Sequence, residues 1–312
     1  MNSKIKGYLL GAAAAASYGL NPTFALPLYA DGMNPDSVLL LRYGFAMVIV
    51  AFMIVMRGRS FKVPKGSIVA LIALGVMMTM SSLTLFESYQ YMAAGIASTI
   101  LFVYPIMVAV IMAVFFKEKL KLTTVACILT AACGIMLLYN TGSGTTLSLV
   151  GTVLVIVSAL SYALYLVGVN SRRIAGIATL TVTFYVLCTG TALFAGKIAV
   201  AGELTLPTKW YMWLDALALA AIPTTVSLFC TTAAIQRVGS TPTAILGALE
   251  PLTAVIMGIL LFGESMTGRE AAGIVLILLA VTFVIAGGAG AGSSLPRPLT
   301  RIRHMFPKLK RR

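Results

Sequence analysis

Ten apolar runs, each about as long as a lipid bilayer is thick, divide this chain of 312 residues. They fall at residues 7–30, 37–56, 67–89, 94–116, 122–139, 148–170, 176–196, 210–235, 241–262 and 269–287. A helix needs about 20 predominantly apolar residues to cross the hydrocarbon core. With 10% charged and 59% hydrophobic residues, the chain lacks the roughly 25% charge of an ordinary soluble domain. It cannot cover a water-facing surface. Large soluble enzymes, nucleic-acid-binding domains and secreted disulfide scaffolds are excluded. A membrane β-barrel needs segments of about ten alternating residues, whereas runs such as GIVLILLAVTFVIAG are apolar on every face. The expected fold is all-α: a polytopic membrane protein of ten transmembrane helices.

Orientation follows from Lys and Arg, which concentrate in cytoplasmic connections. With the amino terminus inside, the inner segments hold Lys4, Lys6, the Arg57–Lys65 group, Lys117, Lys119, Lys121, Arg172, Arg173, Arg237 and the tail cations, 19 in all. The outer segments hold three, Lys197, Lys209 and Arg269. Both termini are therefore expected in the cytoplasm. A basic start followed by an apolar run also describes a signal peptide, but removing it would leave nine spans and place the Arg57–Lys65 loop on the same side as the other basic loops only by accident. Cys127, Cys133, Cys188 and Cys230 all fall within apolar runs, where they read as small apolar side chains and not as disulfides or metal ligands.

The chain also repeats itself. A shift of 146 residues places Gln90 on Gln236, Pro105 on Pro251, Phe116 on Phe262 and Glu118 on Glu264. A shift of 144 places Gly7 on Gly151 and Ser17–Tyr18 on Ser161–Tyr162. The halves, 4–140 and 147–287, each contain five segments. An odd number per copy makes the second copy enter from the opposite side, so two inverted five-helix repeats are expected. Secondary carriers use such repeats to open a central site alternately to each side.

The runs YPIMVAVIMAVFFKEKL and EPLTAVIMGILLFGESMTGREAAGIVLILLA carry a family resemblance. They are similar to the EamA-type repeat of the drug/metabolite transporter superfamily, which has a proline within a span, a glutamate at its end, and a following helix with glycines. Pro105, Glu118 and Gly134 match in the first copy, and Pro251, Glu264 and Gly273 in the second. Arg42, in LLLRYGFAMVIV, resembles the family's second-helix arginine. The chain departs from the usual form at Glu87 and Glu250. The resemblance implies a ten-helix carrier in the bacterial inner membrane, commonly an exporter of amino acids or other small metabolites.

The candidate site residues are those that are costly in a membrane. Glu250 lies roughly 15 Å along its helix from the inner end, at 1.5 Å per residue. A carboxylate there must be protonated, paired or open to a water-filled cavity. Pro251 lacks an amide hydrogen, so the Gly247 carbonyl is expected to go unpaired. Arg42 needs a partner: Glu87, Glu250 or a substrate carboxylate. A zwitterionic amino acid could place its carboxylate on Arg42 and its ammonium on Glu250, with Tyr18, Tyr104 and Gln90 as further contacts; a direct Arg42–Glu250 salt bridge is the alternative. Glu87, Pro105, Pro251, Glu118 and Glu264 are candidates for gating or coupling. Tyr89, Tyr91, Tyr162, Tyr165, Phe184 and Tyr185 are further residues that could line a pathway or only pack.

No catalytic residues, metal or cofactor are expected. His304 is the only histidine, and no P-loop occurs. Residues 288–312 form a basic tail, PRPLTRIRHMFPKLKRR at its end, suited to anionic lipid at the bilayer surface. The expected partners are a small-molecule substrate and the bilayer, with no nucleic acid, for a monomer or homodimer. The expected function is secondary export of a small polar metabolite; the alternative is a multidrug or lipid-intermediate carrier.

Overall fold

The computed structural model describes residues 3–116, 122–139, 148–169, 171, 173–174, 176–201, 203–238, 246–264 and 266–289. No strand occurs among them. The helices are α1 (Ser3–Gly19), α2 (Asn21–Ala30), α3 (Pro35–Met56), α4 (Ile68–Ser88), α5 (Ala94–Leu101), α6 (Tyr104–Phe116) and α7 (Leu122–Tyr139). After these come α8 (Leu149–Val169), α9 (Thr179–Ala201), α10 (Trp210–Leu219), α11 (Ser227–Val238), α12 (Leu249–Phe262) and α13 (Gly268–Ala289).

Among the described residues, six helical stretches are long and apolar enough to cross a membrane: Pro35–Met56, Lys65–Ser88, Ala94–Phe115, Leu149–Val169, Thr179–Val200 and Trp210–Thr231. Large apolar side chains cover the outside of the bundle. Phe52, Phe115, Leu260 and Phe283 are 64%, 73%, 71% and 66% exposed, a surface that lipid tails solvate and water does not. The chain is an all-α, multi-pass membrane protein.

Proline decides where several helices start or break. Pro35 opens α3, and the Asn34 side chain accepts the Ser37 amide at 2.8 Å as its N-cap. The first apolar segment is divided at Leu20, just before Asn21-Pro22 opens α2. The segment at 94–116 is interrupted at Phe102–Val103, and α6 restarts with Tyr104-Pro105. In the segment at 241–262, α12 likewise restarts with Leu249-Glu250-Pro251. Both prolines thus sit in the first turn of a half-helix, where a missing amide hydrogen costs least, and not at a smooth mid-helix kink. Pro223 acts differently: residues Ala220–Val226 widen into a π-helical turn between α10 and α11.

Helix packing follows a pairwise rule. α4 packs on α8 and α11 on α1; α5 and α6 pack on α8 while α12 packs on α1 and α2. α4 meets α9, and α3 meets the π-turn and α10. α3–α9, α5–α12 and α7–α13 complete the set. Exchanging each apolar segment with the one five places later returns these principal partners, while the contacts of α5 and α6 with α13 are not matched by comparable ones between α12 and α7 among the described residues.

Close approach of backbones holds the α7–α13 pair. A Cβ built at Gly134 would lie 2.9 Å from the Gly273 carbonyl oxygen and 2.7 Å from Ile277 Cγ1, so only glycine fits. Small residues at helix crossings of this kind replace the hydrophobic drive that lipid removes. Gly134→Ile should destabilise the detergent-solubilised protein by about 1–3 kcal/mol, the usual cost of overpacking, read as a lower thermal midpoint. Gly196→Ala, where a Cβ would meet nothing within 4 Å, should not lower the midpoint.

Candidate functional site

Arg42 projects from α3 about two turns below the helix start and is only 3% exposed. Its Nε donates to Thr224 Oγ1 at 3.1 Å, and the Tyr18 hydroxyl lies beside the guanidinium. The guanidinium carbon lies 5.0 Å from the Phe86 ring centroid. The Thr224 partner is supplied by the π-turn, where Thr224 and Thr225 hydroxyls donate to Leu219 and Ala220 carbonyls at 3.3 and 3.0 Å. Among the described residues the ion pairs are Lys197–Asp36 and Lys209–Asp31, both at 2.7 Å. Arg42 therefore has no carboxylate within 4.0 Å among the described residues. The direct Arg42–Glu250 salt bridge is not formed, and Glu87 does not supply the partner either.

Glu250 lies in the first turn of α12, where the positive end of the half-helix dipole favours a carboxylate. Its amide donates to the Gly247 carbonyl at 3.0 Å. That corrects the expectation of an unpaired Gly247 carbonyl: the break replaces the helical bond lost at Pro251 with a tighter turn. The Glu250 carbonyl packs so closely on Gly19 that a Cβ there would collide with it, which seats the start of α12 against the break between α1 and α2.

Four tyrosines lie within electrostatic reach of this carboxylate: Tyr18, Tyr89, Tyr104 and Tyr162. Tyr104 meets Tyr162 edge-on at 4.7 Å between centroids, and Tyr162 stacks over Tyr165 at 6.0 Å. A second layer fixes the neighbourhood of Arg42: the Tyr43 hydroxyl shares a 2.7 Å hydrogen bond with Ser82 and donates to the Met78 carbonyl at 3.3 Å. The centre thus combines a buried cation, an acid at a helix start and an aromatic wall. It can bind a small molecule bearing both charges.

The other candidate residues lie elsewhere. Gln90 is exposed beyond the end of α4 and meets Glu87 at 3.5 Å. Both are near the Asp36–Lys197 pair and away from the centre. Pro105 and Pro251 open the half-helices that carry Tyr104 and Glu250. Glu264 folds back into the space beside Gly258, with its carboxylate near the Ala94 amide at the start of α5. Its repeat-mate Glu118 lies outside the described residues. Of the other aromatics, Tyr185 donates to the Phe61 carbonyl at 3.0 Å, which holds a connecting loop.

Thr224, Tyr43 and Ser82 escaped sequence reasoning. Pro223 inside an apolar run was the available signal for Thr224. The pairing of Tyr18 with Tyr162 at an offset of 144, and of Tyr104 with Glu250 at 146, was legible in the repeat.

Together these features define a polytopic helical membrane protein whose half-helices meet at a buried polar centre. A model of the EamA-like transporter family matches residues 5–140 and again residues 149–286. The chain belongs to this family: it is a membrane transporter of the drug/metabolite superfamily and not an enzyme. A solved structure titled only "Crystal structure of protein" shares the fold, with TM-score 0.63 and 18% identity over 92% of this chain and 99% of that one. No curated protein sequence matches the chain.

Two measurements check the peripheral groups. Glu264→Ala should cost about 1 kcal/mol, the usual loss of a helix cap, while Glu264→Gln keeps an acceptor for the Ala94 amide and most of the stability. At the same end, Asp31 accepts Lys209 at 2.7 Å and Tyr211 at 2.9 Å. The Lys209 and Tyr211 hydrogen bonds hold the Asp31 carboxyl below the usual carboxylate range, and Asp31 holds the Lys209 ammonium above its own. A depressed acid contributes stability above its unfolded pKa and loses it as pH falls through the folded value. A raised base keeps its contribution until pH exceeds the ordinary lysine range. The melting difference between wild type and Asp31→Asn should therefore be constant from about pH 5 to 10, begin to shrink near about pH 4, and vanish only once pH has fallen through the depressed folded value.

Proposed function

We propose that this protein is a secondary transporter that exports a small polar metabolite, an amino acid, from the bacterial cytoplasm by alternating access. The reading includes ten spans in two inverted repeats, 4–140 and 147–287, with both termini cytoplasmic and the 288–312 tail on anionic lipid. The single observation that carries it is Arg42: a buried guanidinium with no carboxylate within 4.0 Å among the described residues. An isolated charge at low dielectric is expensive, and a substrate carboxylate would offset that cost. Glu250, at its half-helix start, is the corresponding acceptor for a substrate ammonium. The 19-to-3 bias of basic residues and the exchangeable packing partners support the topology.

Efflux from proteoliposomes loaded with single amino acids tests the reading. Arg42→Gln and Glu250→Gln should each slow efflux by roughly tenfold to a hundredfold, the loss of one charge-assisted hydrogen bond, with normal amounts of folded protein. Arg42→Lys should restore only part of the rate, because lysine cannot reach Thr224 and Tyr18 with one planar group. Full efflux in both Gln variants would overturn the site. Efflux of lipophilic cations but not of amino acids would favour the multidrug reading, for which the Tyr104–Tyr162–Tyr165 wall is the structural argument.

A further inference from the structure

A second polar site lies at the end of the bundle that carries the basic loops, far along α3 from Arg42. Arg57 at the end of α3, Thr179 at the start of α9 and Arg237 in the last turn of α11 converge on a cavity of about 190 Å³. Leu180, Leu228 and Phe229 form its apolar side. Among the described residues no acid lines it, and neither guanidinium has a carboxylate within 4.0 Å. Arg57 is held over the Phe229 ring at 5.0 Å. Arg237 is held by donating to the Ala233 carbonyl at 2.7 Å. The α9 amino terminus adds the partial positive charge of its free amides.

Two fixed guanidiniums, a hydroxyl and a helix start make a strong site for a phosphate oxygen cluster. The position selects the occupant. Phe229 and Val226 are 43% and 44% exposed on the outside of the bundle, so the cavity opens where acyl chains lie. The chain's own tail is basic, without an acid in its last seventeen residues, and is repelled. The geometry points to an anionic phospholipid seated between the ends of α3, α9 and α11, its phosphate on Arg57 and Arg237 and its acyl chain along Phe229. Basic pockets between membrane helices recognise lipid headgroups in this manner. The site is independent of the transport centre.

The test is native mass spectrometry of the full chain in a neutral detergent, titrated with phosphatidylglycerol or phosphatidylcholine. Wild type should retain phosphatidylglycerol preferentially. Arg57→Gln/Arg237→Gln should weaken that retention at least about tenfold, while Arg59→Gln/Lys62→Gln, which removes equal charge from the neighbouring loop, should not. Thr179→Leu fills the cavity without changing charge; it should also reduce retention, and it keeps the test available if the paired variant does not fold. Equal retention by wild type, the arginine pair and Thr179→Leu would overturn the proposal, as would an equal loss in the loop control. Glycerol phosphate is the soluble arm: arginine-dependent binding of it, without any of phosphatidylglycerol, would assign the site to a free anion and overturn the lipid.

Discussion

Inside a bilayer a backbone polar group has no water to fall back on, so an interruption in a helix survives only where something else satisfies it. Among the described residues there are three such breaks and one π-turn, each at a proline. At the α12 start, the Glu250 amide takes the Gly247 carbonyl. At the α1–α2 break, the Asn21 side chain donates to the Tyr18 carbonyl at 2.9 Å. In the π-turn, threonine hydroxyls take carbonyls five residues back. The polar centre is therefore not added to a finished bundle. It is built where the helices break, because broken helices present charges and hydroxyls at one depth.

The repeat gives this centre its chemistry through inequality. Tyr18 and Tyr162 occupy matched positions, and both keep the phenol. Tyr104 and Glu250 are also matched, but one copy carries an aromatic alcohol and the other an acid. Arg42 has no arginine as its counterpart; the second copy has no Arg or Lys between 174 and 196. An architecture with exchangeable packing partners thus surrounds a polarised centre, with a cation toward α3 and an acid toward α12. Such polarity suits the zwitterion of the proposed function.

Ties at the two ends restrain the helices that frame the centre. At one end, Asn34 donates to Thr205 and Glu203 at 3.1 and 2.7 Å, and the two ion pairs join α2 and α3 to the approaches of α9 and α10. At the other, Ser67 donates to the Arg173 carbonyl at 2.6 Å and Thr181 to the Ser60 carbonyl at 3.2 Å. All of these link the first copy to the second. Alternation between two open states would have to release one set while the other holds, which makes exposed, individually weak polar contacts suitable parts.

The sequence by itself determined the solvent, the secondary structure and the repeat. Helix length, hydropathy and proline position act locally, and a bilayer leaves the backbone few alternatives. The cost of Arg42 and Glu250 at membrane depth was also local, so both stood out before any packing was known. Their relation was not local. Whether a guanidinium meets a carboxylate depends on rotations of α3 and α12 set by all their neighbours, and tertiary structure decided against the pair, giving Arg42 to Thr224 and Tyr18 instead. It separated Gln90 from the centre because α4 ends just before that residue, and it turned Glu264 onto Ala94 because Gly258 leaves room for the carboxylate. Apolar periodicity says which residues are costly to bury; only the packed bundle says what each of them touches.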